Sequence, residues 1–443
     1  MKKDKPLSMG EKIKLVRKAK GVNQAYLARV TGRSDMLISR IERGEAECTD
    51  EILSTIKAAL DIPNAPLYEH ELEVYKNRLL VWNDMVSEYR IKEARELQKE
   101  LFPITVLPFE RSLIALYLMI EARLHGRERN MPVLERITNE AEVYLDDACI
   151  LGLHLYHRNK GMTYIHSVHP DYKKALKHFL KALDLQSTEV KLDVMFLSTI
   201  GQVYLYLGIP LQAMMFYERA KMMYGDDRLH PGVHNMNIGI ALCYMHIGEL
   251  TKAKGIYETA LVHARSTNDD ESVMLGIANM CAVYMRMKDY KKALMFSDQA
   301  LKYGQKNLPY YMLALFNNAS CLVELKMFPE AVKKIQEGQL LVDGQKPLSI
   351  LFETLGHILT IKSNSSNDEK KAASDYVENV AIPYYMNHED SQVRFAGIDI
   401  CKTLEAYYKK KGMNKKAQAI VTILRNTYEK MFFVDSEAEF ASE

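Results

Sequence analysis

Five alanines recur at nearly constant spacing through the middle of this 443-residue chain: Ala175, Ala213, Ala253, Ala293 and Ala331, 38 to 40 residues apart. Each keeps similar company. The clearest window runs Ile200-Gly201-x-x-Tyr204-x-x-x-Gly208, then Ala213-x-x-x-Tyr217-x-x-Ala220. The following copy has Ile240, Ala241, Tyr244 and Gly248, then Ala253, Tyr257 and Ala260. A third has Met280, Cys281 and Tyr284 before Ala293 and Ala300, and a fourth has Ala319 and Leu322 before Ala331. An earlier one keeps Ala175, Phe179 and Ala182. A fixed period of this length signals stacked supersecondary units. Small residues at Gly201, Ala213 and Ala220 let two antiparallel helices approach closely, while Tyr204 and Tyr217 fill the space between neighbouring pairs. One pair cannot bury its own apolar face, so pairs must stack.

The arrangement resembles the tetratricopeptide repeat, whose consensus is about 34 residues. Each unit here therefore carries a few extra residues. That resemblance implies an all-α fold in which a right-handed superhelix presents a concave groove. The low content of proline (13) and glycine (21) agrees with many helices and few turns. Segments 67–145 and 345–432 read as helical but match the repeat poorly, as terminal caps often do. The first holds the single tryptophan, Trp82, and a helix break around Pro103 and Pro108. The second holds helical stretches at 390–411 and 413–432, with a weak match at Ala417. An acidic tail, 435–443, reads as frayed. The expected organisation is an N-terminal domain at 1–62, a linker at 63–68, a helical capping region at 69–145, repeats at 146–345, and atypical repeats and caps at 346–443.

The N-terminal domain has its own signature. Three short helical patterns fill residues 9–44: Ile13, Leu15 and Val16 stripe the first, Leu27 and Val30 the second, and Leu37, Ile38 and Ile41 the third. Gly21 ends helix one, Gly32 makes a turn, and Ser34 is a good N-cap for helix three. A fourth helix is expected from Thr49 to Leu60, stopped by Pro63 and Pro66. Helices two and three with the tight turn between them make a helix-turn-helix, which lays its second helix in the major groove of DNA. Residues 1–44 carry twelve Lys and Arg against four Asp and Glu, a net of +8, while the whole chain is only +2. A basic head on an acidic body is the electrostatic footprint of a DNA reader.

The words Val22-Asn-Gln-Ala-Tyr-Leu-Ala28 and Ile38-Ser-Arg-Ile-Glu-Arg-Gly44 resemble the phage-repressor, Cro-like class of helix-turn-helix domains. By position, that resemblance implies phosphate contacts from Arg17, Gln24 and Arg43, with Ser34 and Ser39 on the DNA-facing helix. It implies base contacts from Asp35, Met36 and Arg40. Arg40 suits guanine bidentately and Met36 a thymine methyl. Asp35 is unusual, because a carboxylate near phosphates is repelled unless it accepts from a cytosine amine.

Other chemistries find little support. Six cysteines stand singly, without a C-x-x-C, as buried thiols do in a reducing compartment. No signal peptide follows Lys2 and Lys3, and no run of about 18 apolar residues appears, so a cytoplasmic protein without a membrane span is expected. His154-x-x-His157 and His166-x-x-His169 lack the convergent partners a zinc site needs. Phosphate-binding glycine loops and a nucleophile elbow are missing, so neither a metal, a cofactor nor an enzyme is expected. The 24 methionines read as core filling.

A Cro-like head on a tetratricopeptide array resembles the peptide-pheromone regulators of the Rap/Rgg/NprR/PlcR/PrgX superfamily. What this resemblance implies is a cytoplasmic quorum-sensing transcription regulator. It would bind a DNA operator as a homodimer and be switched by a short signalling peptide in the concave groove. An extended peptide exposes backbone donors and acceptors, and amide side chains satisfy both without a charge to desolvate. Repeat register places Gln202, Asn235, Asn279, Asn317 and Tyr164 towards the groove, with Met245 and Met285 as adaptable walls. Lys160 is the candidate for a peptide carboxylate. The alternative is a peptide-regulated adaptor that binds a protein partner such as a response regulator, docking on region 67–145 with Arg90, Lys92 and Arg95.

Overall fold

The computed structural model describes residues 8–60, 69–101, 111–187, 190, 193–225, 231–266, 270–304, 308–342 and 346–432. The expected linker at 63–68, the break around Pro103 and Pro108, and the acidic tail lie outside the described residues, as does the side chain of Leu15. The fold is all-α: among the described residues no strand forms, only one isolated bridge between Ser187 and Val190. The chain divides into two compact units, Met1–Leu192 and Asp193–Glu443.

The first unit begins with four short helices: α1 (Met9–Ala19), α2 (Gln24–Thr31), α3 (Asp35–Glu42) and α4 (Asp50–Ala59). Each is started by a side-chain cap: Ser8, Asn23, Ser34 and Thr49 accept from the backbone N–H groups of Glu11, Tyr26, Leu37 and Ile52. Ser8 and Glu11 complete a reciprocal capping box. Gly32 sits at φ 65° after α2, the left-handed conformation that the tight turn requires. Ile13, Val16, Leu27, Ala28, Ile38 and Ile41 form one core, sealed by Ile52, Leu53, Ile56 and Leu60. Val30, expected in the stripe of helix two, is instead 40% exposed. Eight residues make about two turns, and Leu27 and Ala28 already fill the inward side of α2.

Next come α5 (Glu69–Ser87), α6 (Ile91–Leu101), α7 (Arg111–Arg127), α8 (Met131–Glu140), a 3-10 stretch (Ala141–Asp147), α9 (Ile150–Ile165) and α10 (Tyr172–Asp184). Trp82 is fully buried and lies 5.0 Å from the Tyr117 ring, between centroids.

The second unit is a succession of antiparallel pairs. They are α11 (Val194–Leu207) with α12 (Pro210–Met222), α13 (Pro231–His246) with α14 (Leu250–Ser266), and α15 (Asp270–Arg286) with α16 (Tyr290–Gly304). Then follow α17 (Leu308–Glu324) with α18 (Phe328–Leu341), and α19 (Lys346–Lys362) with α20 (Asn367–Tyr376). A π-helical turn (Val377–Ala381) leads into α21 (Ile382–Met386), and α22 (Ser391–Lys410) pairs with α23 (Asn414–Phe432). From α11 to α20 the first helix of each pair packs on its own partner, and that partner packs on the first helix of the next pair.

The anchors explain the register. Ala175, Ala213, Ala253, Ala293 and Ala331 are all 0% exposed. A Cβ on Gly239 would come 2.7 Å from the Tyr217 ring, so only glycine admits that tyrosine between α11–α12 and α13. The turns repeat as faithfully as the anchors. Residues 89, 129, 208, 248, 288 and 326 all have φ between 60° and 87°. Each is followed by an N–H that donates to a carbonyl five residues back, as Arg90 does to Met85 and Ile209 to Tyr204, both at 2.9 Å. This is the closing bond of a helix ending in a left-handed residue. Thus α5–α6 and α7–α8, which match the repeat poorly in sequence, turn in the same way as the repeats.

Candidate nucleic-acid interface and ligand groove

The polar residues of the head separate into two groups. One holds the domain together. Arg17 and Glu42 are buried and meet in a two-point ion pair, Nε to Oε1 at 2.5 Å and Nη2 to Oε2 at 2.8 Å. Arg17 also donates to the Val22 carbonyl at 2.8 Å, closing the turn between α1 and α2. Gln24 donates to Glu42 Oε2 at 2.7 Å. Burial pushes the Glu42 carboxyl up, but the hydrogen bonds from Arg17 and Gln24 outweigh it and hold the group below its ordinary range. The hydrogen bond to Glu42 raises Arg17 in turn. A phosphate role for Arg17 does not fit this position, because its guanidinium faces inward and is already occupied. Gln24 keeps one end on Glu42 and remains half-buried.

The other group faces outward. Ser34, Asp35, Met36 and Arg40 are exposed along α3, with Met36 at 74% and Ser39 half-buried beside them. Arg40 makes a long contact with the Glu45 carbonyl, at 3.4 Å. Arg43 forks onto both Glu45 oxygens at 2.8 and 2.9 Å and donates to Ser39 Oγ at 2.8 Å. That pair is solvent-exposed, so it is weak enough to exchange for another anion. Two exposed arginines flank this surface and were missed from sequence: Arg29 on α2 and Arg33 in the turn before Ser34. Their only sequence signal is positive charge next to the turn.

The groove candidates fall in both units. In the first, Lys160 is engaged by Asn139 Oδ1 at 2.8 Å and Glu142 Oε1 at 2.7 Å. Tyr164 lies against His178 of α10, ring centroids 5.6 Å apart, so it packs within its own pair. A carboxylate role for Lys160 would have to displace Glu142. In the second unit, Gln202 and Asn235 are exposed on α11 and α13. Gln202 donates to the Tyr206 hydroxyl at 2.7 Å. Asn279 on α15 has a buried Nδ2 without a hydrogen-bond partner. Asn317 on α17 is half-buried, and its neighbour Asn318 is the one that pins α17 to Ser297 and Asp298 of α16. Met245 is buried and Met285 half-buried.

The remaining signals resolve structurally. His154 is buried against the Ala182 carbonyl at 2.9 Å, and His157 faces His178 at 3.0 Å. Among the described residues no three His, Cys, Asp or Glu side chains converge on a metal position. Cys243, Cys281, Cys321 and Cys401 are buried and free, while Cys48 and Cys149 are partly exposed. In the suggested docking patch Arg90 pairs with Glu93 and Glu88 and Arg95 with Glu128, and Lys92 is exposed. No described helix is long and apolar enough to cross a membrane.

Fold and site together define a class: a helix-turn-helix domain followed by tetratricopeptide-like helical pairs. Residues 13–63 match the helix-turn-helix family model. The apo form of the quorum sensor NprR from B. thuringiensis superposes with a TM-score of 0.66 at 19% identity, covering 80% of this chain and 99% of that one. NprR in complex with its cognate peptide NprX gives 0.62 at 19% identity, over 79% and 99%. A Rap protein complexed with Competence and Sporulation Factor gives 0.65 at 15% identity, over 81% and 99%. The chain therefore shares the fold of Rap and NprR. A curated relative, anaphase-promoting complex subunit 3 of Schizosaccharomyces pombe (strain 972 / ATCC 24843), is 24% identical over 229 residues. The match spans 49% of this chain and under a third, 31%, of that protein.

Proposed function

We propose that this chain is a cytoplasmic transcription regulator that binds a DNA operator as a homodimer and is switched by a short signalling peptide. The observation that carries the reading is the outward face of α3: Ser34, Asp35, Met36 and Arg40 stand exposed while the ion pair beneath them keeps the helix in place. A single head makes few base contacts, so a two-fold symmetric site read by two heads supplies useful specificity. The groove reading draws on the exposed amides of Gln202 and Asn235 and on the fold shared with a peptide-bound NprR. Arg43, Arg29 and Arg33 are the phosphate contacts we favour, with Gln24 contributing through whichever face Glu42 leaves free.

The deciding experiment is selection of fragmented source DNA by the full-length chain at near-physiological salt, followed by sequencing. Discrete sites with inverted-repeat symmetry support the regulator. Salt-sensitive retention without any preferred site means phosphate affinity alone. That result would favour the adaptor, in which the helical pairs engage a protein partner.

A further inference from the structure

In the second unit, Tyr206, His246, Arg286 and Glu324 hold one repeat position on four successive first helices, spaced like the alanine anchors. The first turn of α22 lies against three of these four helix ends. Ser391 is fully buried and donates from Oγ to the Leu205 carbonyl at 2.6 Å. Arg394 Nη2 donates to the Leu207 carbonyl at 3.2 Å. The Arg394 Nη1 holds the His388 and Glu389 carbonyls at 2.6 and 2.7 Å, which fixes the approach to α22. Phe395 meets the His246 ring edge-to-face, centroids 4.8 Å apart at 85°. The Arg286 guanidinium lies 4.5 Å over the same phenyl ring, while its Nη1 donates to the Met245 carbonyl at 2.7 Å.

Several terms favour this contact. The last carbonyls of a helix lack intrahelical partners, and a cation beside them meets the negative end of the helix dipole. Arg394 is held by three carbonyls, and Arg286 by the Met245 carbonyl and the face of the Phe395 ring. Burial first, then the neighbouring charges of Arg286 and Arg394, depresses His246 to about 3, so it stays neutral between them.

In a stacked array each repeat touches only its neighbours, so curvature accumulates from small rotations and is soft. A bond from α22 to α11 spans 186 residues and skips four intervening pairs. Stacking does not require it. We propose that the first turn of α22 is a strap that sets the curvature of this unit, and that its release is the conformational step by which the groove changes shape. The strap uses the C-terminal ends of α11, α13 and α15. Gln202, Asn235 and Asn279 lie further back on the same three helices, and Asn317 lies on α17. The proposal does not depend on which ligand, if any, enters the groove.

The test uses the full-length chain without ligand. Ser391→Ala/Arg394→Ala and, separately, Phe395→Leu are compared with the parent by amide hydrogen exchange and small-angle scattering. The expected result is an about tenfold rise in exchange, together, in the last turn of α11 and in residues 388–395. The radius of gyration should increase while exchange in α17 and α18 stays unchanged. Faster exchange at 388–395 alone, with an unchanged radius, would overturn the strap and leave a local cap. Faster exchange throughout the unit in both variants would also overturn it, because these side chains would then be ordinary core. Phe395→Leu keeps an apolar group in place, so it reads the strap even where the double variant folds poorly.

Discussion

Arg17 and Glu42 lie 25 residues apart, and their pairing decides how the head must be tested. A surface phosphate contact, when removed, lowers affinity for all sequences and makes the salt dependence shallower by about 0.9 per contact. Removing one partner of a buried pair strands the other charge and costs about 3–5 kcal/mol. Glu42→Ala and Arg17→Ala are therefore both expected to melt the head by that order, seen in the methyl signals of Ile38 and Ile41. A near-native melt with only a shallower salt slope would restore the phosphate role. The same pair sets an acid limit. A carboxyl held below its ordinary 4.5 contributes stability that is complete above that value and lost as pH falls through the folded one. The parent head should lose stability below about pH 4.5, and Glu42→Gln should remove that part of the acid dependence. Arg40→Ala should instead leave the melt intact and cost about 1–3 kcal/mol of discrimination at one base position, measured on a selected site against its mutated copy.

At the scale of elements, the turns show what was legible and what was not. Gly208 and Gly248 advertise a left-handed position, and the alanine anchors advertise close helix contact, so those pairs could be placed from sequence. Lys288 and Lys326 hold the same φ, 60° and 61°, without a glycine, and Tyr89 and Arg129 do so in the capping region. There the backbone conformation is imposed by the packed helices on either side, and no residue type announces it. The α5–α6 and α7–α8 pairs were hidden for that reason. Nor could α22 have been tied to α11, since a contact across 186 residues leaves no periodic trace. The non-glycine turns also make a prediction. A left-handed L-residue costs about 1–2 kcal/mol, of which the greater freedom of unfolded glycine takes back part. Lys288→Gly and Lys326→Gly should each stabilise the chain by about 0.5–1 kcal/mol in denaturant melts. Gly208→Ala should destabilise it by a similar amount. Unchanged or lowered stability in both lysine variants would mean that Lys288 and Lys326 contribute more through their side chains than their φ angles cost.

Across the whole molecule, the proposed switch couples two sites, and coupling obeys a constraint that no single contact does. If a groove peptide changes operator affinity by some factor, the operator must change peptide affinity by the same factor. The pair to measure is a short peptide recovered from a random library on the full-length chain and an operator recovered by DNA selection. Each is titrated with and without the other. Equal factors above one establish that the two sites are coupled in one molecular species; unequal binding factors would mean that the two ligands meet different species, such as monomer and dimer. Asn279 then separates binding from transmission. Its Nδ2 has no partner in the free chain, so Asn279→Ala removes no existing hydrogen bond there. The variant should melt as the parent does and hold operator equally well without peptide. It should bind peptide more weakly, by about 1–3 kcal/mol if the amide meets a backbone group of the ligand. At saturating peptide it should still show the parent's full change in operator affinity. A variant that binds peptide normally would remove Asn279 from the groove, and one that binds weakly but also loses the saturating response would place it in the transmission between array and head.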